Sequence, residues 1–249
     1  MKQLIFFLIF FIFSNNLFAD CLILKDLNTQ QEIIKAGNCN IETSPCSTFK
    51  IPLSLIGYDT GVLIDENNPV FKYKDDYNAT ITSHKQNQTP TSWIKNSVVW
   101  YSKEIVKIIG FKKIREYLKE FNYGNYKLNN DNLTNFWLSS TLKITPQEQI
   151  KFLENILLKK FKISEKSYNM TENIVPIFEN NNWKIHGKTG TCLYDNDTKQ
   201  TGWFVGWAEK NNRNIIFVKF IDKNDDLKNF GGIKAKEEII TLFNKLELK

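Results

Sequence analysis

The chain has 249 residues, enough for one large domain or two closely packed lobes, and its 42% hydrophobic and 14% aromatic content is ample for a buried core. The net charge of +6 comes almost wholly from lysines spread along the sequence, with no basic block interleaved with aromatics, which argues against a nucleic-acid partner. Only two histidines and four cysteines without a C-x-x-C pair leave no zinc-ligand pattern, so no metal is expected.

Residues 1–3 are a short positive stretch, residues 4–13 are uninterrupted apolar, and Leu17-Phe18-Ala19 ends on a small residue. That pattern predicts a signal peptide over 1–19, with cleavage after Ala19, and an apolar run too short for a comfortable membrane span. The mature chain, 20–249, is expected to be secreted, most simply to a periplasm, with no stable membrane association. Export places the cysteines in an oxidising compartment. Cys21 and Cys39 flank a hairpin-like stretch and could bridge, whereas Cys46 and Cys192 are expected as free buried thiols.

Residues 21–27 and 31–36 read as two strands joined by a turn at Asn28-Thr29-Gln30. Pro45 opens a segment that looks like a buried helix, with Pro52 expected to kink or end its first turns. Residues 65–92 are polar and read as irregular loop. Residues 102–121 carry a helical period, with Ile105, Ile108, Ile109, Tyr117, Leu118 and Phe121 on one face. Thr145-Pro146-Gln147-Glu148 is a capping box that starts a helix burying Ile150, Leu153, Ile156 and Leu157. Residues 183–192, 202–209 and 214–222 read as strands, and residues 237–248 as a closing helix. Strands at both ends around a mainly helical middle predict a mixed α/β fold, an antiparallel sheet flanked by helices with a mainly helical inserted region.

With so little histidine, a base for nucleophilic catalysis must come from another residue type. A Ser-x-x-Lys pair on one helix face offers one: the amine takes the hydroxyl proton if burial keeps it neutral. The pattern occurs three times, at Ser47/Lys50, Ser92/Lys95 and Ser140/Lys143. Only Lys50 has apolar surroundings, Phe49, Ile51, Leu53, Leu55 and Ile56, of the kind that depress an amine pKa. Lys95 and Lys143 lie among polar residues and read as surface charges. Ser47 would also sit at a helix N-terminus, where free N–H groups favour a developing oxyanion.

Further segments follow in order. Pro45-Cys46-Ser47-Thr48-Phe49-Lys50 resembles the active-site segment of class D (oxacillinase-type) serine β-lactamases. Ser97-Val98-Val99 is similar to that family's S-x-V element, Tyr123-Gly124-Asn125 to its Y-G-N element, and Phe136-Trp137-Leu138 to its tryptophan segment. Lys188-Thr189-Gly190 resembles the K-T-G strand of penicillin-recognising enzymes, and residues 202–207 the strand after it. The resemblance spans residues 45–207 and implies the penicillin-recognising fold and hydrolysis of small-molecule β-lactams.

It also implies roles. Ser47 attacks the lactam carbonyl. Lys50, N-carboxylated by CO2 or bicarbonate, is the base in both half-reactions, with no other cofactor, and Trp137 holds the carbamate. Ser97 relays a proton to the lactam nitrogen. Lys188, Thr189 and Gly190 bind the substrate, and the N–H groups of Ser47 and Thr191 form the oxyanion hole. Val99, Tyr123, Asn125 and Leu138 are structural neighbours. The family's carboxylate-binding arginine near the C-terminus has no counterpart: Arg115 and Arg213 are the only arginines and neither is placed for it. Lys234 or Lys236 is the expected substitute, although a point charge does not replace a bidentate fork. Two other readings share part of these motifs, a β-lactam sensor that acylates without turnover and a D,D-peptidase.

Overall fold

The computed structural model describes residues 20–194, 198–224 and 229–246, so the expected leader over 1–19 lies outside the described residues. Six strands form one antiparallel sheet: β1 (Cys21–Asp26), β2 (Glu32–Gly37), β3 (Ile177–Asn180), β4 (Trp183–Tyr194), β5 (Lys199–Lys210) and β6 (Arg213–Asn224). The spatial order is β2-β1-β6-β5-β4-β3, so the N-terminal hairpin completes one edge beside β6, and β3 forms the other edge. This is the mixed α/β arrangement expected from strands at both ends of the chain.

Alternation along β5 sorts the core into two layers. Trp203, Val205 and Trp207 join the larger cluster under the helical region, while Phe204 and Ala208 join a smaller cluster with Ile239 and Phe243 of the last helix. With both faces covered, β5 is buried from Gln200 to Ala208, which makes it a near-continuous apolar run.

Among the described residues, seven α-helices accompany the sheet: α1 (Lys50–Asp59), α2 (Pro90–Asn96), α3 (Val99–Ile109), α4 (Phe111–Glu120), α5 (Pro146–Leu157), α6 (Glu165–Ile174) and α7 (Gly231–Lys245). Helix α1 is buried at every residue from Lys50 to Tyr58, so it is a core helix rather than an amphipathic surface one. Pro52 causes no break, because it lies in the first turn, where its missing N–H has no intrahelical partner to lose. At the other end of α1, Asp59 ties three helices together. It accepts from Tyr117 Oη at 2.6 Å on α4 and from the Ser164 N–H at 2.8 Å at the start of α6.

Three expectations change. The helix expected over 102–121 is two, α3 and α4, separated at Gly110, whose φ of +81° suits glycine, and Ile108 is left 58% exposed rather than on the core face. The stretch read as loop over 65–92 ends in α2, opened by Pro90 and a reciprocal Thr89–Ser92 cap. The closing helix begins at Gly231, not at residue 237, which places Lys234 and Lys236 on its first turns. The α5 capping box forms as expected.

Two disulfides cross-link the chain. Cys21–Cys39 closes a separation of 18 residues and Cys46–Cys192 one of 146, worth about 3 and about 5 kcal/mol by loss of unfolded-chain entropy. The second overturns the expectation of two free thiols: the topology brings β4 alongside the segment that precedes α1, a long-range juxtaposition with no local sequence signal. Among the described residues, no helix is long and apolar enough to cross a membrane.

Helix α7 seats on the sheet through glycines. A Cβ on Gly202 would fall 2.1 Å from the carbonyl carbon of Gly231, backbone against backbone. Gly202→Ala should therefore destabilise the fold by about 1–3 kcal/mol through overpacking, read as a lowered Tm in thermal unfolding. An unchanged Tm would show that this contact does not hold α7.

Candidate active site

Residues Cys46–Phe49 form a single 3-10 turn that runs directly into α1, so Ser47 sits at a helical N-terminus and Lys50 one turn later. The Lys50 amine lies 3.4 Å from Ser47 Oγ. Lys50 is only 1% exposed, and among the described residues no carboxylate pairs with it. Burial, helped by the nearby charge of Lys188, holds its amine well below the ordinary lysine range. Ser47 itself is half-buried, open enough to meet a ligand.

Strand β4 supplies the facing wall. Lys188 is 2% exposed, and burial brings its amine down to about 7. Its Nζ donates to Ser97 Oγ at 3.0 Å and to the Thr189 carbonyl at 3.0 Å. Ser97 is held in the left-handed region, φ +61°, where it caps α2, and Val99 begins α3 behind it. Gly190 lets β4 pass close to the turn that carries Ser47: a Cβ there would lie 3.0 Å from the Pro45 carbonyl and 3.0 Å from the Thr48 methyl. Because β3 pairs only with residues 183–186 of β4, the edge from Lys188 onward has no strand partner among the described residues. Such an edge can receive an extended ligand through backbone hydrogen bonds.

The remaining expected residues form a supporting shell. Trp137 stacks on Phe49, the neighbour of Lys50, with centroids 5.5 Å apart, and Phe136 meets Phe49 edge-on at 5.2 Å. The Trp137 indole N–H donates to no protein acceptor among the described residues, while its carbonyl accepts from the Cys46 N–H at 3.0 Å. Leu138 is partly buried against the main core. Tyr123 is fully buried and edge-on to Phe49, and Asn125 receives the Lys143 N–H at 3.1 Å, so both organise the loop that carries Trp137.

Sequence reasoning missed several contributors. Gln149, on the buried face of α5, donates to both Thr48 Oγ1 at 3.1 Å and Tyr123 Oη at 3.2 Å. A polar side chain at a core position of the α5 period is the signal that could have found it. Lys143, expected as a surface charge, is half-buried and donates to the buried Ser44 Oγ at 3.1 Å. Ser92 is a helix-capping residue and Lys95 is exposed, which removes that pair as a reactive site. His84 donates from Nε2 to the Asn96 carbonyl at 2.7 Å, one residue before Ser97, and burial lowers its pKa.

The two C-terminal lysines part company on α7. Gly232, Ala235 and Ile239 face the sheet, and the Gly232 N–H donates to Thr191 Oγ1 at 3.2 Å. Lys236 lies on the β3 side of the helix, its Nζ 5.1 Å from the centre of the Phe178 ring. Lys234 falls four residues before Glu238, which pairs with Lys219 of β6 at 2.8 Å, and so shares the opposite flank. The structure therefore groups Ser47, Lys50, Ser97, Lys188 and the Gly190–Thr191 edge, seats Lys236 over Phe178 of β3, which pairs with Ile185 before that edge begins, and puts Lys234 on the other flank of α7.

Comparison with known proteins agrees with this geometry. The penicillin binding protein transpeptidase domain family matches residues 24–246. β-Lactamase OXA-9 of Klebsiella pneumoniae is 36% identical over 88% of this chain and 85% of its own length, and β-lactamase OXA-1 of Escherichia coli is 37% identical over 92% and 85%. The crystal structure of the OXA-427 class D β-lactamase superposes with a TM-score of 0.82 at 36% identity, covering 91% of this chain and 97% of that one. A class D β-lactamase from Bacillus subtilis superposes with a TM-score of 0.80 at 28% identity, covering 91% and 90%. With nearly the whole length matched and the Ser-Lys pair assembled in the core, the chain belongs to the class D serine β-lactamases.

Proposed function

We propose that the protein hydrolyses β-lactam antibiotics through an ester on Ser47, with Lys50 as the seat of the base. The observation that carries the reading is the buried Lys50 amine, 3.4 Å from Ser47 Oγ and, among the described residues, without an acid partner. Ser47 Oγ loses its proton toward Lys50 and attacks the lactam carbonyl carbon. The N–H groups of Ser47 and Thr191 receive the oxyanion. The ring C–N bond breaks, and the nitrogen takes that proton from Lys50 through the Ser97 hydroxyl, which the Lys188 ammonium restrains at 3.0 Å, so that Lys50 is free to accept again. Water then attacks the ester, giving up its proton toward Lys50, and Ser47 departs with its hydroxyl restored. Thr189 and the Lys188 charge favour the substrate carboxylate.

A buried amine kept neutral, with the Trp137 indole stacked on the adjoining Phe49 and its N–H without a protein acceptor among the described residues, suits CO2 capture. Lys50 would carry the added carboxylate and Trp137 would hold it, supplying an oxygen base matched to neutral pH. Residues 1–19 support export of the mature chain, and the two disulfides suit an oxidising compartment.

The direct test is steady-state hydrolysis of a chromogenic cephalosporin by the mature chain. Ser47→Ala should abolish both turnover and covalent labelling by penicillin. Labelling of that variant at another serine, or a single stoichiometric burst without turnover in the wild type, would overturn the proposal.

The Lys50 amine can act only when neutral, and its folded pKa is depressed. Activity should therefore fall as pH drops through that lowered value, sooner in CO2-depleted buffer, and recover on adding bicarbonate. Trp137→Ala should acylate but deacylate up to roughly 100-fold more slowly, within what a general base contributes. Full activity at mildly acid pH without bicarbonate, with an unmodified Lys50 by 13C NMR, excludes the carboxylated lysine.

Of the two candidate anchors, Lys236 is the one on the β3–β4 side of α7. Lys236→Ala should raise KM about 10-fold, roughly 1.4 kcal/mol of uniform binding, with little change in kcat, while Lys234→Ala should be silent. Kinetics in which Lys234→Ala carries the KM change would reverse the assignment.

A further inference from the structure

We infer that the Cys46–Cys192 disulfide is a positioning device for the oxyanion hole, so that full catalytic rate requires the oxidised pair. The inference rests on Ser47 being the nucleophile. Cys46 immediately precedes Ser47, and Cys192 immediately follows Thr191, so the bridge joins the chain neighbours of the two residues whose N–H groups would hold the oxyanion. The Ser47 N–H lies in the rigid peptide plane that begins at Cys46 Cα, so fixing Cys46 also aims that donor.

The surroundings show why a covalent tie matters. The nucleophile turn and β4 touch at Gly190, yet no backbone hydrogen bond joins residues 45–49 to β4 among the described residues. The hydrogen bonds that tether this segment to the sheet come before the turn, from Trp203 Nε1 to the Ser44 carbonyl at 3.0 Å and between Thr43 Oγ1 and Tyr194 Oη at 3.0 Å. Cys46 has a φ of +46°, a conformation a residue with a Cβ holds only under restraint. Its other restraint is the bond from its N–H to the Trp137 carbonyl, which faces the helical region rather than β4. Both sulfurs are buried, with Cys46 2% and Cys192 1% exposed, so the bridge touches no substrate and acts through its neighbours.

The test compares Cys46→Ala/Cys192→Ala with Cys21→Ala/Cys39→Ala, which removes the distant bridge as a control. Penicillin labelling of wild-type Ser47 first establishes the nucleophile, so failure there would count against the enzymatic reading and not against the clamp. The Cys46/Cys192 variant should lose about 10-fold in kcat with KM little changed, less than the 100-fold or more typical of deleting an oxyanion donor. The infrared stretch of its acyl-enzyme carbonyl should move to higher wavenumber, reporting weaker hydrogen bonding to that oxygen, while the control keeps the wild-type frequency. Wild-type kcat and carbonyl frequency in the Cys46/Cys192 variant would overturn the inference. Should that variant not fold, the spectrum is recorded on the Cys21→Ala/Cys39→Ala acyl-enzyme before and after treatment with TCEP. The phosphine delivers two electrons, the disulfide becomes two thiols with protons from water, and the phosphine leaves as its oxide. A carbonyl frequency unmoved after thiol titration shows the bridge open would equally overturn it.

Discussion

Two neighbouring buried lysine amines, with no carboxylate paired to either among the described residues, set the terms for the rest of this structure. An unpaired ammonium in an apolar interior costs several kcal/mol, and the usual escape is to lose the proton. Lys50 and Lys188 are both nearly inaccessible, and the nearby Lys188 charge adds to the penalty on Lys50. The surroundings of Lys50 keep its amine neutral: α1 is buried along almost its whole length, Trp137 stacks on the adjoining Phe49, and β5, the sheet neighbour of β4, is an almost continuous apolar run. The core is therefore not a neutral support for the pocket. It is the agent that tunes it.

A second theme is the way residues 43–46 fasten the two halves of the molecule. Thr43 pairs with Ile144 through both backbone bonds, at 3.2 and 2.8 Å, while its hydroxyl meets Tyr194 of β4. The Ser44 carbonyl takes the Trp203 indole from β5, and its hydroxyl takes Lys143 from the helical region. Thr43 and Ser44, just before the turn that carries Ser47, thus each have one partner in the sheet and another outside it. The site lies where those two bodies are stitched, which is where convergent side chains from separate elements can meet.

How much of this could be read from the residues alone depended on range. Ser47 and Lys50 are three apart, and their apolar neighbours are adjacent in sequence, so the pair was legible. Ser97 and Lys188 were legible through resemblance, but their mutual hydrogen bond was not. The Cys46–Cys192 pairing escaped because thiols so far apart in sequence leave no spacing signal, and burial alone fits a free thiol equally well. The break at Gly110 was hidden because a glycine inside a helical period costs only about 1 kcal/mol, too little for the pattern to declare it. Lys234 and Lys236 could not be separated until the helix start was known, since two residues' difference in α7 turns the side chain to the opposite flank.

The position of β1 carries one more consequence, for the order in which the molecule can be built. The first strand of the described chain does not sit at the rim but between β2 and β6, with Cys21 opposite Phe220 and Asp26 opposite Ile215. Contacts of such high sequence separation are slow to form, because nearly the whole chain must be closed into a loop before they return any energy. A nascent chain that has not yet delivered β6 can fold its N-terminal hairpin but cannot seat it in the sheet. Nor can it set β4 against the nucleophile turn until Cys192 has emerged. Assembly of the pocket around Ser47 is thus a late event, gated by arrival of the last third of the polypeptide.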